Sequence, residues 1–210
     1  MQYRTYIIAV ISASAVVGAT THADQRLSER PELPEGFQVK PMTWTGLVER
    51  GGVEISLDGT IEEVTQHIRA VKKDFTWASL RRDLGVTDTP LRELDTKTNL
   101  ICDVGGENSL GPLTPNVEAS RDKIADMTGA CVVEAGPRVC SMITCTYNAA
   151  VWLCNDNATP ITPACDSLAS YVSDIIEACG QDYYHGHRLC RGQEFNSDNF
   201  NVIVGWKDHC

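Results

Sequence analysis

The sequence predicts an α+β protein: a disulfide-crosslinked antiparallel sheet with two helices packed on it, preceded by a small ββα segment. Three observations carry this expectation. All nine cysteines lie at or after Cys102, a density that belongs to an oxidising compartment and divides the chain in two. Residues 61–71 and 165–179 repeat apolar side chains at helical spacing. Residues 138–145, 149–154 and 201–204 are short apolar runs bounded by turn residues, the pattern of strands.

The first residues resemble an export signal. Arg4 precedes an apolar run over residues 7–17, too short for the roughly 20 residues that span a bilayer, and small residues offer cleavage after Ala19 or after Ala23. The expected organisation is a signal peptide over 1–19 (or 1–23), a cysteine-free segment over 24–98, and a cysteine-rich domain over 99–210. The expectation is thus a secreted, extracellular protein with no transmembrane segment in its mature form.

Within the cysteine-free segment, Trp44, Gly46 and Val48, then Val53, Ile55 and Leu57, read as two strands around Gly51-Gly52. Thr60-Ile61-Glu62-Glu63 is a capping box, so a helix starts at Thr60 and presents Ile61, Val64, Ile68 and Val71 on one face. A polar stretch follows to about Thr98. A unit of roughly 30 residues buries too little apolar surface to be stable alone. It therefore docks on the cysteine-rich part or is a pro-region, removable at Lys72-Lys73 or Arg81-Arg82.

In the second segment Thr114-Pro115 opens a helix, with a cap residue followed by proline, and Gly129 closes it. Strands are expected over 130–133, 138–145 and 149–154, with Gly136-Pro137 as a turn. A second helix starts near Pro163, aligns Cys165, Leu168, Val172, Ile175, Ile176 and Cys179 on one face, and stops at Gly180. A last strand runs over 201–204 and ends at Trp206.

Charge and motifs narrow the function. The formal net charge is −10, and loss of the leader removes one basic residue, leaving 17 basic against 28 acidic and a charge of −11. That opposes binding to a phosphate backbone, so no nucleic-acid partner is expected. No serine sits in a Gly-x-Ser-x-Gly elbow, and Gly105-Gly106 lacks the further glycines of a phosphate loop, so no catalytic residue and no cofactor are assigned. His185-Gly186-His187, with Asp208 and His209, supplies metal-ligand chemistry that a strand would align and a loop would not, and no metal is assigned. Among the aromatic residues Trp44, Trp77, Trp152, Trp206, Tyr147, Tyr171, Tyr183 and Tyr184, Trp152 reads as core and the Tyr183-Tyr184 pair as a surface contact. Asn157-Ala158-Thr159 is the one glycosylation sequon. Were 138–145 one continuous strand, Cys140 and Cys145 would face opposite sides about 17 Å apart and could not bridge each other.

Taken together, Gly129-Ala130-Cys131, Pro137-Arg138-Val139-Cys140, residues 148–157, Cys165-x-x-Leu168 with a helix ending in Cys179, and Arg191-Gly192-Gln193 before a hydrophobic strand and Cys210 resemble the small killer toxins carried by a virus of smut fungi. Related fungal secreted cysteine-rich effectors share this framework. The likeness covers about residues 102–210. It implies a non-enzymatic protein that binds a target outside the producing cell, such as a channel, a host protein or the cell wall. A secreted hydrolase or a metal-binding protein is the alternative. The resemblance further implies bridges Cys102–Cys179, Cys131–Cys210 and Cys154–Cys165. That leaves Cys140, Cys145 and Cys190, of which Cys190 would pair with one of the other two. It places Arg138 where the toxin carries a lysine important for its action on calcium entry, and so marks Arg138 as a possible target contact.

Overall fold

A computed structural model describes residues 33, 35–86, 97–102, 104 and 111–210. The expected leader, the 87–96 stretch and Gly105-Gly106 lie outside the described residues. The described residues from Leu33 on are α+β and form a six-stranded sheet, a three-stranded sheet and a two-stranded ribbon.

The cysteine-free segment starts with β1 (Gln38–Val39), β2 (Thr43–Gly46) and β3 (Ile55–Asp58). The capping box forms as expected. The Thr60 hydroxyl accepts from Glu63 N–H, the Glu63 carboxylate accepts from Thr60 N–H, and α1 runs over Ile61–Val71. Ile61, Val64 and Ile68 are buried, but Val71 is exposed, because the helix ends there and turns away from its packing partners. A further helix, α2 (Trp77–Leu84), occupies part of the stretch read as polar. Thr76 caps it through Ser79 N–H, Gly85 ends it in the left-handed conformation, and only Trp77 and Leu80 are buried. It has eight residues and few apolar positions, so its apolar face is short.

This segment docks. β2 is the middle strand of the order β3-β2-β5, where β5 (Ala130–Val132) belongs to the cysteine-rich part. Trp44 pairs in register with Cys131, is fully buried, and donates from Nε1 to the Thr128 carbonyl at 2.7 Å. Its ring meets Trp77 edge to face at 5.3 Å. Gly129 has a φ of +87°, and a Cβ there would strike the Thr45 carbonyl and the Trp44 indole, so the docking needs glycine. The dibasic Arg81-Arg82 lies within α2, where Arg81 Nη1 reaches Asp166 and the Met127 carbonyl, each at 3.1 Å.

The large sheet has the order β1-β6-β7-β11-β10-β4, with β4 over Lys97–Ile101, β6 over Val139–Thr146, β7 over Ala149–Asn155, β10 over Gly192–Asn196 and β11 over Phe200–Trp206. β1 runs parallel to β6 and all other pairs are antiparallel. α3 (Thr114–Asp126) and α4 (Leu168–Cys179) cover one face, around Val117, Ile124, Leu168, Val172 and Ile175. The other face buries Trp152, Ala150 and Ile203, with Leu33, Phe37 and Val104 against them. Trp152 is core, as its apolar strand implied. Two termini differ from expectation in detail. Leu113, not Thr114, is the residue before the first turn of α3. Gly180 ends α4 with φ −66°, so a left-handed turn is not its reason. A Cβ at Gly180 would lie 2.6 Å from an Arg188 guanidinium nitrogen and 2.7 Å from the Ile176 carbonyl, so close approach excludes a side chain.

The disulfides correct two of the three implied pairings. Cys102–Cys179 forms, with Cα atoms 5.1 Å apart. Cys131 pairs with Cys165 instead of Cys210, because Cys131 N–H bonds the Pro163 carbonyl and Cys165 N–H bonds the Gly129 carbonyl, holding the Cα atoms at 5.0 Å. Cys154 pairs with Cys140 instead of Cys165, because the β6–β7 register sets them directly opposite. Cys210 reaches Cys145, brought there as the chain leaves β11 and Lys207 N–H bonds the Asn148 carbonyl. Cys190 remains a thiol, buried and 3.6 Å from the Ile175 carbonyl, so it pairs with neither Cys140 nor Cys145. β6 is also not one regular strand. The register skips Ile143, and that bulge turns Cys145 onto the same face as Cys140 and Met142.

Candidate recognition surface

The strand registers define two ends of the large sheet. At one end Thr146 faces Ala149, Ala149 faces Trp206, Gly192 faces Val204 and Gln193 faces Ile101. At the other, Val139 faces Asn155, Asn155 faces Phe200 and Asn196 faces Lys97. β7 has seven residues, so the ends lie about 20 Å apart at 3.3–3.4 Å per residue.

The first end gathers exposed apolar side chains. Tyr147 and Asn148 form the two-residue turn between β6 and β7, with φ of 45° and 70°, the positive-φ geometry that matches strand twist. Asn148 suits it and its Nδ2 donates to the Lys207 carbonyl at 2.7 Å. Tyrosine is disfavoured there, yet Tyr147 holds the position with 77 % of its surface exposed. Its carbonyl accepts from Asn116 Nδ2 at 3.0 Å, in the first turn of α3, and the adjacent Leu113 is exposed. Leu113 bridges to Leu189 in β9 (Arg188–Leu189), which pairs with β8 (Gln181–Asp182). Tyr183 follows β8, is 50 % exposed, and donates its N–H to the His187 carbonyl at 2.6 Å. Ile101, at the end of β4, is exposed on the same end.

Tyr183 is exposed and is linked to this end through the β8–β9 ribbon and the Leu113–Leu189 bridge. Tyr184 lies in the adjoining 3₁₀ turn, and its side chain is outside the described residues. Arg138 is exposed with φ 57°, and its N–H donates to Asp156 at 3.1 Å. It precedes Val139 at the far end of the sheet, so Arg138 and Tyr183 do not form one site. Asn157 is half-buried, and its Nδ2, the atom a glycan would occupy, donates to Asn155 Oδ1, the Asp198 carbonyl and the Asn199 carbonyl at 3.1, 2.8 and 3.2 Å. His185 sits in the 3₁₀ turn with φ 62°, so His185 and His187 do not share a strand face. Among the described residues no group of three His, Cys, Asp or Glu side chains converges as metal ligands would.

A cleft of about 520 Å³ lies elsewhere, between α1, the start of α2 and the end of α3. Ile61 and Trp77 supply its apolar wall, and Arg69, Glu62, Lys123 and Asp126 its charges. Burial pushes the Glu62 carboxyl up, but hydrogen bonds from Lys123 at 2.9 Å and Thr144 at 2.6 Å outweigh it and hold the group below its ordinary value. Glu62 is thus a fixed charge rather than a proton carrier. The Thr65 hydroxyl donates to the Ile61 carbonyl and accepts from Trp77, and the Thr76 hydroxyl caps α2, so both serve the helices. Burial also pushes the Cys190 thiol up to about 12, opposed by the nearby charge of Arg188, which leaves it an inert core sulfur at neutral pH.

Sequence reasoning named Tyr147 among the aromatic residues without singling it out as a contact, and missed Leu113. The Tyr147-Asn148 pair between two strands was the available signal, since asparagine favours the left-handed turn position. Comparison with known proteins found no matching family model, no matching curated protein and no matching solved structure.

Proposed function

We propose that this chain is a secreted, non-enzymatic recognition protein of the killer-toxin-like or effector kind. It engages a target outside the producing cell, a channel, a host protein or a cell-wall component, through the sheet end that carries Tyr147, Leu113 and Tyr183. The observation that carries this reading is Tyr147, a large aromatic residue held exposed in a backbone conformation unfavourable to it. Holding a tyrosine in that geometry makes sense for contact, since tyrosine supplies much contact area for little lost side-chain freedom. The four disulfides fit an oxidising, extracellular setting. The fixed charge of Glu62 and the structural use of both cleft threonines favour binding over hydrolysis.

The test uses the labelled full-length protein on intact yeast, filamentous-fungal and plant cells and on isolated cell walls. The double variant Tyr147→Ala/Tyr183→Ala should lose at least about tenfold in binding, the effect of one strong aromatic anchor, with unchanged thermal stability. Arg138→Ala at the opposite end should bind as the parent does. Equal binding by the double variant, or binding to none of these surfaces, sinks the proposal.

A further inference from the structure

We propose that Lys97, Asp174 and Glu194 form a proton-operated latch that closes the edge strand β4 on β10. With a proton on Glu194 the strand stays seated. With Glu194 and Asp174 both ionised, its Lys97 end loosens while its other end stays tethered.

The geometry comes from three elements. Lys97 opens β4, Glu194 lies in the middle of β10 opposite Leu100, and Asp174 projects from α4. Lys97 Nζ bonds the Asp174 carboxylate and lies 3.7 Å from Glu194 Oε2, with the Tyr171 ring 4.7 Å beneath it. Glu194 is only 5 % exposed, and its Oε2 accepts no hydrogen bond among the described residues. Among the described residues one ammonium therefore stands against two carboxylates, one of them removed from water. β11 adds no charge here, since Val202 is the residue opposite Glu194. Tyr171 is occupied in accepting from Asn196 Nδ2 at 2.7 Å.

Among the described residues, an ionised carboxylate in this position has Lys97 Nζ, 3.7 Å away and already bonded to Asp174, as its nearest compensation for lost hydration. Burial is the first reason its pKa rises to about 7; the charge of Lys97 opposes the rise, and the charge of Asp174 adds to it. Moving β4 aside admits water and relieves both burial and repulsion. β4 is suited to this because, among the described residues, it is the last strand of the sheet and pairs with β10 alone. Its far end is fixed, since Cys102 follows directly and is bridged to Cys179 at the end of α4. Opening would swing β4 about that bridge and leave the β10 edge free for strand addition by another chain.

The sign follows from linkage. A carboxyl whose folded pKa is raised favours the closed state fully below its ordinary value of 4.5, and the advantage is lost as pH rises through about 7. Amide hydrogen exchange of the full-length protein, corrected for intrinsic rates, should show residues 98–100 exchanging about tenfold or more faster at pH 8 than at pH 5, one pKa unit being a factor of ten. Residues 150–154 in β7 should not change. Glu194→Gln should keep β4 protected at both pH values. In the unaltered protein, a carbon-13 titration of the Glu194 carboxyl should have the same midpoint as the exchange change. Equal protection of β4 at both pH values, persistence of the change in Glu194→Gln, or a Glu194 midpoint near 4.5 overturns the latch. The titration decides the matter should the variant not fold. None of these results depends on what the protein binds.

Discussion

Cys140 and Cys154 stand directly opposite each other in the β6–β7 pair with Cα atoms 4.0 Å apart, and the bulge at Ile143 turns Cys145 to the same side of the sheet. One irregular residue thus puts two neighbouring cysteines on one face and sends them to different partners, Cys154 within the hairpin and Cys210 at the C-terminus.

Non-reduced peptide mass spectrometry should recover Cys102–Cys179, Cys131–Cys165, Cys140–Cys154 and Cys145–Cys210. Replacing both Cys140 and Cys154 with alanine should cost roughly 3 kcal/mol, the chain-entropy value for a loop of this size, read from denaturant unfolding. A peptide joining Cys131 to Cys210 would refute this map.

Cys190 should resist alkylation at pH 8 in the native protein and react with one equivalent of iodoacetamide in denaturant. Burial and a pKa of about 12 both withhold the thiolate. Rapid native labelling at Cys190 would show that this core is open.

Trp44→Ala should destabilise the whole unit by about 3–5 kcal/mol, the usual cost of emptying a buried aromatic site, although Trp44 lies in the cysteine-free segment. One cooperative transition should persist, at lower denaturant. A loss below about 1 kcal/mol would mean that β2 does not support β5 as the register indicates.

Glu62 stabilises the fold above its ordinary pKa and loses that contribution as pH falls below 4.5, because its folded value is lowered. The Glu62 and Lys123 side chains are 38 % and 40 % exposed, so solvent screening limits the effect to about 1 kcal/mol or less. Glu62→Gln should lower stability at pH 7 and leave it unchanged near pH 3. An equal loss at both pH values would assign the effect to packing.

Local signals were legible in the sequence where one segment contained its own cause. The Thr60–Glu63 capping box needs only four residues. The buried face of α4, from Leu168 to Cys179, is a simple helical repeat. α2, β4 and β10 were not legible, since their side chains are mostly polar and their order comes from partners far along the chain, as when Lys97 meets Glu194 and Arg81 meets Asp166. The candidate surface was half legible. Tyr183 stood out beside its turn residues, whereas Tyr147 and Leu113 are linked to it only because β6 ends where α3 begins and β9 bridges to Leu113.

By itself the sequence determined the α+β class, the start of α1, the buried face of α4 and the concentration of cysteines after Cys102. Only the tertiary structure decided which cysteines meet, that residues 42–84 complete the core, and which aromatic residues share a surface. The reason is one of range. A cap or an amphipathic face is set within a few residues, but a disulfide needs Cα atoms within about 7 Å. Strand register and a single bulge, which depend on the whole sheet, set that distance.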